Sequence, residues 1–261
     1  MIKLIVSDVD GTLVEDGSSR LDPRIYQAIL ALREKGVQFA AASGRAYSSL
    51  EKAFEPIREK IFYIANNGAY IGCYGRSLFT YPIERSLMEE IVTDIRKHPD
   101  LQVMCAGENG DYIESNDPEL YTWLTEGYKF RITRVNSILE LPEPCIKLSI
   151  YKPQGVEAAT ADLVEKYGSR LQMACAGDMW MDCMAPGINK GQAVKLLQES
   201  LDIKPEETMV FGDQLNDIEM LKQGYYSFAV ANAREEVRQA ARFQTDSNKN
   251  LGALKILNYL L

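Results

Sequence analysis

Asp8 and Asp10 stand one residue apart in "KLIVSDVDGTLVED", residues 3 to 16, directly after an apolar run that reads as a buried strand. Carboxylates at i and i+2 of a continuing strand share a face. At ~4 Å with an effective dielectric of about 20 they repel by roughly 4 kcal/mol. Something of opposite charge must offset them. Other apolar runs also end in chemically capable groups: Ser43 in "AASGR", Asn66 and Asn67 in "ANNGA", and Asp213 in "VFGDQLND". Lys190 in "GINKG" opens a helix, where a cation is unfavourable for the macrodipole unless an anion lies nearby.

Each of these residues taken singly has an ordinary structural reading. Asp and Ser are common helix caps and turn residues, Lys190 reads as a solvated helix residue, and Asn67-Gly68 reads as a hairpin turn. Together they are the group types that magnesium and phosphate require. They are distant in sequence, so a fold must gather them, and the carboxyl ends of strands in an open parallel sheet do so.

The order of elements supplies such a sheet. "DPRIYQAILALREKG" has Asp22 as N-cap, Pro23 at the first helical position, and Ile25, Ala28, Ile29 and Leu32 on one face, with Gly36 ending the helix. Strand-like runs at 37 to 43 and 61 to 68 flank a helix-compatible segment, "AYSSLEKAF". Runs without period-two alternation suit strands covered on both faces, which predicts a parallel, doubly wound sheet. From about Ile83 to Pro186 the rhythm changes. Helices near 85 to 97, from Pro118, and at 156 to 167 mix with antiparallel-looking strands, as in an inserted α+β unit. Alternation resumes with helices at 190 to 200, 216 to 223 and 234 to 242 and a final amphipathic helix over 249 to 261. The expected division is a Rossmann-like core, 1–82 and 187–261, and an inserted unit, 83–186.

Composition narrows the function. The 261 residues carry 29 Lys and Arg against 37 Asp and Glu, a net charge of −8 that argues against nucleic acid as a partner. The opening "MIKLIVSD" lacks a signal-peptide pattern, and no apolar run approaches membrane-spanning length, so no membrane partner is expected. Five scattered cysteines without a CxxC read as reduced, mostly buried thiols of a cytoplasmic protein, and zinc is not indicated. The single histidine, His98, reads as a helix-end residue, which leaves acid-base chemistry to carboxylates, lysine or metal-bound water. A calcium loop is excluded because Thr12 and Leu13 occupy positions that need an acid or Asn and a Gly. Mononucleotide and dinucleotide glycine loops and the GxSxG elbow are absent.

The ordered pieces "DVDGT", "ASGR", "NKG" and "GDQLND", with "NNGA" ahead of the insert and "FAVANA" near the end, resemble the haloacid dehalogenase-like hydrolases, in particular the Cof-type phosphatases with an inserted cap. The tail "DSNKNLGALKIL" departs from that pattern by lacking its acidic pair and valine. The resemblance implies a Mg²⁺-dependent phosphatase of small phosphorylated metabolites, with sugar phosphates as the expected class. It implies Asp8 as nucleophile and Asp10 as general acid-base. Asp8 and Asp213 would be metal carboxylates, the backbone carbonyl of Asp10 a further ligand, and Asp217 a ligand or an orienting group. Ser43, Gly44, Lys190, Asn67 and Asn216 would contact phosphate or orient the site. The insert, with Tyr112, Tyr121, Trp123, Tyr128 and Trp180, would be the lid. A phosphomutase or phosphotransferase would use the same aspartyl phosphate. Outside enzymes the alternative is a phospho-aspartate switch or metabolite-binding module. A monomer or small homo-oligomer is expected.

Overall fold

The computed structural model describes residues 1–15, 20–108, 110–127, 131–176 and 178–261; Tyr128 lies outside them. The described chain divides into two compact units, Met1–Phe79 with Asn189–Leu261, and Thr80–Ile188.

In the first unit β1 (Leu4–Asp8) is buried at all five positions, as its unbroken apolar run requires. Helix α1 (Pro23–Glu34) starts where Asp22 Oδ1 accepts the Arg24 N–H at 2.9 Å, and it buries Ile25, Ala28, Ile29 and Leu32. Strand β2 (Gln38–Ala42), helix α2 (Tyr47–Ala53) and β3 (Phe62–Ala65) follow, with β1, β2 and β3 paired in parallel.

The wholly parallel sheet expected from the sequence stops there. Residues 66–68 turn the chain back into β4 (Tyr70–Cys73), antiparallel to β3 with Ala65 opposite Tyr70. "NNG" is therefore both a strand end and a hairpin turn. Asn66, Asn67 and Gly68 have φ of 49°, 55° and 102°, conformations that Asn and Gly tolerate better than other residues. Strand β5 (Arg76–Thr80) forms one edge of the sheet; its exposed, polar start gave no apolar signal.

The second unit begins with α3 (Arg85–Ile95), followed by β6 (Gln102–Ala106), β7 (Asp111–Ile113), α4 (Pro118–Thr122), β8 (Ile132–Arg134) and β9 (Lys147–Tyr151). The helix expected over 156 to 167 is divided into α5 (Val156–Ala159) and α6 (Ala161–Tyr167). Thr160 lies at the break with φ −110°, and its hydroxyl donates back to the Val156 carbonyl at 2.8 Å, a bond that bends helices. Strands β10 (Gln172–Ala176) and β11 (Trp180–Met184) complete a sheet ordered β10-β11-β9-β6-β7-β8, antiparallel except for β7 with β8. Tyr121, Trp123 and Trp180 pack against Met104, Ile113, Leu120, Leu124 and Ile132, so these aromatics belong to the unit's own core.

The chain then returns through α7 (Lys190–Leu201), β12 (Thr208–Gly212), α8 (Ile218–Leu221), β13 (Tyr226–Val230), α9 (Glu235–Ala240), β14 (Phe243–Thr245) and α10 (Gly252–Asn258). The last helix is shorter than expected because Leu251, at φ 54°, separates it from a turn at 248–250. The sheet runs β14-β13-β12-β1-β2-β3-β4-β5 over a core that includes Leu4, Val6, Ile64, Val194 and Val210. The fold class is α/β, a mainly parallel core sheet carrying an inserted α+β unit. No helix among the described residues is long and apolar enough to cross a membrane.

Candidate active site

Strands β1 and β12 are neighbours, with Ser7 opposite Phe211, so their ends deliver Asp8 and Asp213 side by side. Helix α7 begins at Lys190, whose side chain is only 1% exposed. Its Nζ donates to Asp8 Oδ1 at 2.6 Å and to Asp217 Oδ1 at 2.7 Å. That is the anionic environment inferred from a lysine at a helix start. Burial alone would lower the Lys190 pKa, but Asp217 and Asp8 outweigh it and raise the value.

Asp8, Asp213 and Asp217 are all buried, and one carboxylate oxygen from each lies within 4.8 Å of the others. Asp8 Oδ2 is buried with no hydrogen-bond partner. Desolvation, then the charge of Asp217, holds the Asp8 carboxyl well above the usual range, with Lys190 opposing. Burial also pushes Asp213 up to about 6, opposed by the Thr12 hydroxyl and reinforced by Asp217. Hard oxygens, an orphaned carboxylate oxygen and surplus negative charge fit a hard divalent cation. His98 belongs to the second unit, where Nε2 lies 3.2 Å from Asp162 Oδ2.

Asp217 is already heavily engaged. Besides Lys190, it accepts the N–H groups of Asp213 at 2.9 Å and Gln214 at 3.0 Å through Oδ2. Gly11 brings the β1 loop against the same cluster: at φ 79° a Cβ there would lie 2.2 Å from Asp213 Oδ2. Thr12 Oγ1 donates to Asp213 Oδ1 at 2.8 Å.

The remaining expected residues form the other side of the site. Ser43, past the end of β2, accepts the Arg45 N–H at 3.1 Å, and its hydroxyl is directed at Asp10 Oδ2, 3.4 Å away. Its backbone carbonyl accepts the Asn67 N–H at 3.0 Å, and the Arg45 carbonyl accepts the Asn66 N–H at 2.9 Å. Asn67 Oδ1 accepts from Asn216 Nδ2 at 3.0 Å. A Cβ on Gly44 would meet the Asn67 amide at 3.2 Å, so its missing side chain accommodates Asn67. Ser43, Gly44, Asn67 and Asn216 thus lie beside the loop bearing Asp10, and Lys190 holds Asp8 from the start of α7, which packs against the 66–68 turn.

Arg45 was not singled out in the sequence. Its guanidinium grips Asp10 with two nitrogens, Nε to Oδ2 at 2.7 Å and Nη2 to Oδ1. The signal was present in "ASGR", where an arginine two residues beyond a strand-end serine can reach the next strand's loop.

The sequence model described as haloacid dehalogenase-like hydrolase matches residues 5–257, and the chain belongs to that family. It is 28% identical over 261 residues to the Escherichia coli K12 protein named 5-amino-6-(5-phospho-D-ribitylamino)uracil phosphatase YbjI, covering 100% of this chain and 96% of that one. YcsE of Bacillus subtilis 168, which bears the same enzyme name, is 26% identical over 268 residues, covering 99% and 95%. A solved structure from Eubacterium rectale superposes with a TM-score of 0.93 at 34% identity, covering 100% of this chain and 99% of that chain.

Proposed function

We propose that the chain is a magnesium-dependent phosphatase of small phosphorylated metabolites, working through an aspartyl phosphate on Asp8. The observation that carries this reading is the state of Asp8: one oxygen is held by Lys190, and the other is buried, unpartnered and amid further carboxylates. Asp8 and Asp213, with the Asp10 carbonyl by family resemblance, would hold a magnesium ion, which when bound would supply the positive charge that lets a carboxylate approach an anionic phosphate. Asp217, with both oxygens engaged by Lys190 and two backbone N–H groups, orients the cluster.

Asp8 attacks phosphorus in line, and the bond to the leaving oxygen breaks as Asp10 delivers a proton to it. Asp10, now a carboxylate, takes a proton from water. The water oxygen attacks phosphorus, and the Asp8–phosphorus bond breaks to release inorganic phosphate. In the structure Arg45 holds both oxygens of the Asp10 carboxylate, so Asp10 has to leave that pair and take up a proton before it acts as acid, and Arg45 orients it again once the proton is given up. Lys190 supplies a positive point charge, and the Ser43 hydroxyl a donor, for the phosphoryl oxygens. Gly44, Asn67 and Asn216 border that position. The inserted unit is assigned the role of cap.

An acid-base group beside the nucleophile favours hydrolysis over a lasting phospho-aspartate signal. The names of two relatives point to a ribityl phosphate ester, so sugar and polyol phosphates are the proposed substrates. The test is phosphate release from a panel of sugar phosphates, nucleotides, vitamin phosphates and 5-amino-6-(5-phospho-D-ribitylamino)uracil. Release with Mg²⁺ from polyol or sugar esters, lost in Asp8→Asn, is expected. Transfer to a second hydroxyl, or no release from any ester, contradicts the reading.

A further inference from the structure

The ends of β13 and β14 also reach the loop that follows β1. Asn232, just past β13, donates through Nδ2 to the Gly11 carbonyl at 2.7 Å. Asn248, just past β14, donates through Nδ2 to the Val14 carbonyl at 3.0 Å. The two are joined, because the Asn248 backbone N–H donates to Asn232 Oδ1 at 3.0 Å. An amide is needed at 232: it gives a proton at one end and accepts one at the other, which neither Asp nor Leu can do.

The loop they hold is compact. The Val9 carbonyl accepts the N–H groups of Leu13 at 2.9 Å and Val14 at 3.0 Å, and the Gly11 N–H donates to the Val14 carbonyl at 2.9 Å. Its opposite side meets Asp213 through Thr12 and through the bare Cα of Gly11. Arg234, two residues past Asn232, donates its N–H to the Asp213 carbonyl at 3.0 Å. The segment bearing Asp10 is therefore gripped between Asp213 and two asparagines. The tail that departs from the family's usual last segment nevertheless reaches the site's scaffold.

We propose that Asn232 and Asn248 are positioning residues: a clamp from the last two strands that fixes the Asp10–Val14 loop against Asp213 and so holds the acid-base carboxylate in place during turnover. The kinetic part of this inference rests on the phosphatase reading; the structural part does not. Losing the Asn232 amide removes the side-chain donor to the Gly11 carbonyl, and losing the Asn248 amide leaves the Val14 carbonyl to the Gly11 N–H; either loss frees the loop to shift. Displacement of a reacting group by about an ångström can cost on the order of 100-fold in rate.

The experiment uses the full chain with Asn232→Ala, Asn248→Ala, both together, and Asn250→Ala as a control in the same turn. Hydrogen exchange of the peptide covering residues 9–14 is read without substrate, beside the thermal midpoint and kcat and KM for an aryl phosphate. In the single variants, exchange at the Gly11 and Val14 amides should rise about tenfold or more while the rest of the sheet and the midpoint hold. kcat should fall by about 10- to 100-fold at nearly constant KM. The double variant should lose less than the product of the singles, because the amides act through one linked contact. Asn250→Ala should change neither. Unchanged loop exchange and kcat in folded variants overturns the clamp. So does loosening spread over the whole sheet with a lowered midpoint, which is general destabilisation. A wild-type chain that releases no phosphate while loop exchange responds as described refutes the phosphatase reading and leaves the clamp standing.

Discussion

Lys190→Met separates the electrostatic role of this lysine from its packing. Its Nζ lies 2.6 Å from Asp8 and 2.7 Å from Asp217, with the side chain 1% exposed. Met fills much of the volume and carries no charge, so the variant leaves Asp8, Asp213 and Asp217 buried together without their cation. Removing one partner of a buried pair costs roughly 3–5 kcal/mol. At about 2–4 °C per kcal/mol for a domain of this size, the midpoint in chelator should fall by roughly 10 °C. Asp8, already pushed above the usual carboxylate range by burial and Asp217, would relieve part of that cost by taking a proton. Magnesium at ~100 times its Kd adds about 2.7 kcal/mol to any chain that binds it. At one fixed Mg²⁺ concentration it should raise the midpoint more in the variant, whose acid cluster binds the cation more tightly once Lys190 no longer occupies one Asp8 oxygen. Differential scanning fluorimetry in chelator and in Mg²⁺, with phosphate release alongside, reads both effects. A variant melting with the wild type in chelator and retaining turnover would refute this account of the cluster.

Two further outcomes follow from the same structure. Chelation should abolish phosphate release and added Mg²⁺ restore it, with Asp213→Asn raising the Mg²⁺ concentration needed for calorimetric binding by at least about tenfold, since a carboxylate ligand is lost; metal-independent turnover contradicts this. In the second unit, burial first, with Glu143 adding and Lys147 opposing, pushes Asp111 up to about 6, and its Oδ2 has no partner. The folded state then binds this proton more tightly than the unfolded chain does, so stability is lost as pH rises from about 4 to about 6 and stays lower above that. Asp111→Asn should therefore gain on the wild type by up to about 3 kcal/mol in urea unfolding near neutral pH and by little near pH 4; a variant that loses ground at neutral pH would show that the charge is compensated.

How much of this was legible depended on whether a signal was local. Helix α1 was readable because Asp22, Pro23 and the Ile25-Ala28-Ile29-Leu32 stripe all lie within one segment. The site was readable because unbroken apolar strands ended in acids, a serine, asparagines and, at a helix start, a lysine. The antiparallel β4–β5 edge was not: β4 is four residues long, and β5 begins exposed and polar. β8 and β14, three residues each, are too short to show a period. Arg45, Asn232 and Asn248 escaped for another reason. Even where the segment stands out, as "ASGR" and "FAVANA" do, nothing in it names the partner, and the role of each comes from reaching a loop more than 30 residues away in sequence, 35 for Arg45 on Asp10, 221 for Asn232 on Gly11 and 234 for Asn248 on Val14.

The covalent role of Asp8 is tested most directly in Asp10→Asn with an activated aryl phosphate. An aryl leaving group departs without protonation, so the first step survives, while the water attack that needs Asp10 as base is slowed. Rapid mixing followed by acid quench and peptide mass spectrometry should show a burst of aryl alcohol, matched by phosphate covalently bound to the peptide containing Asp8 and chemically reducible at that residue. Phosphate released in step with the alcohol, with no burst and no modification at Asp8, would contradict the mechanism.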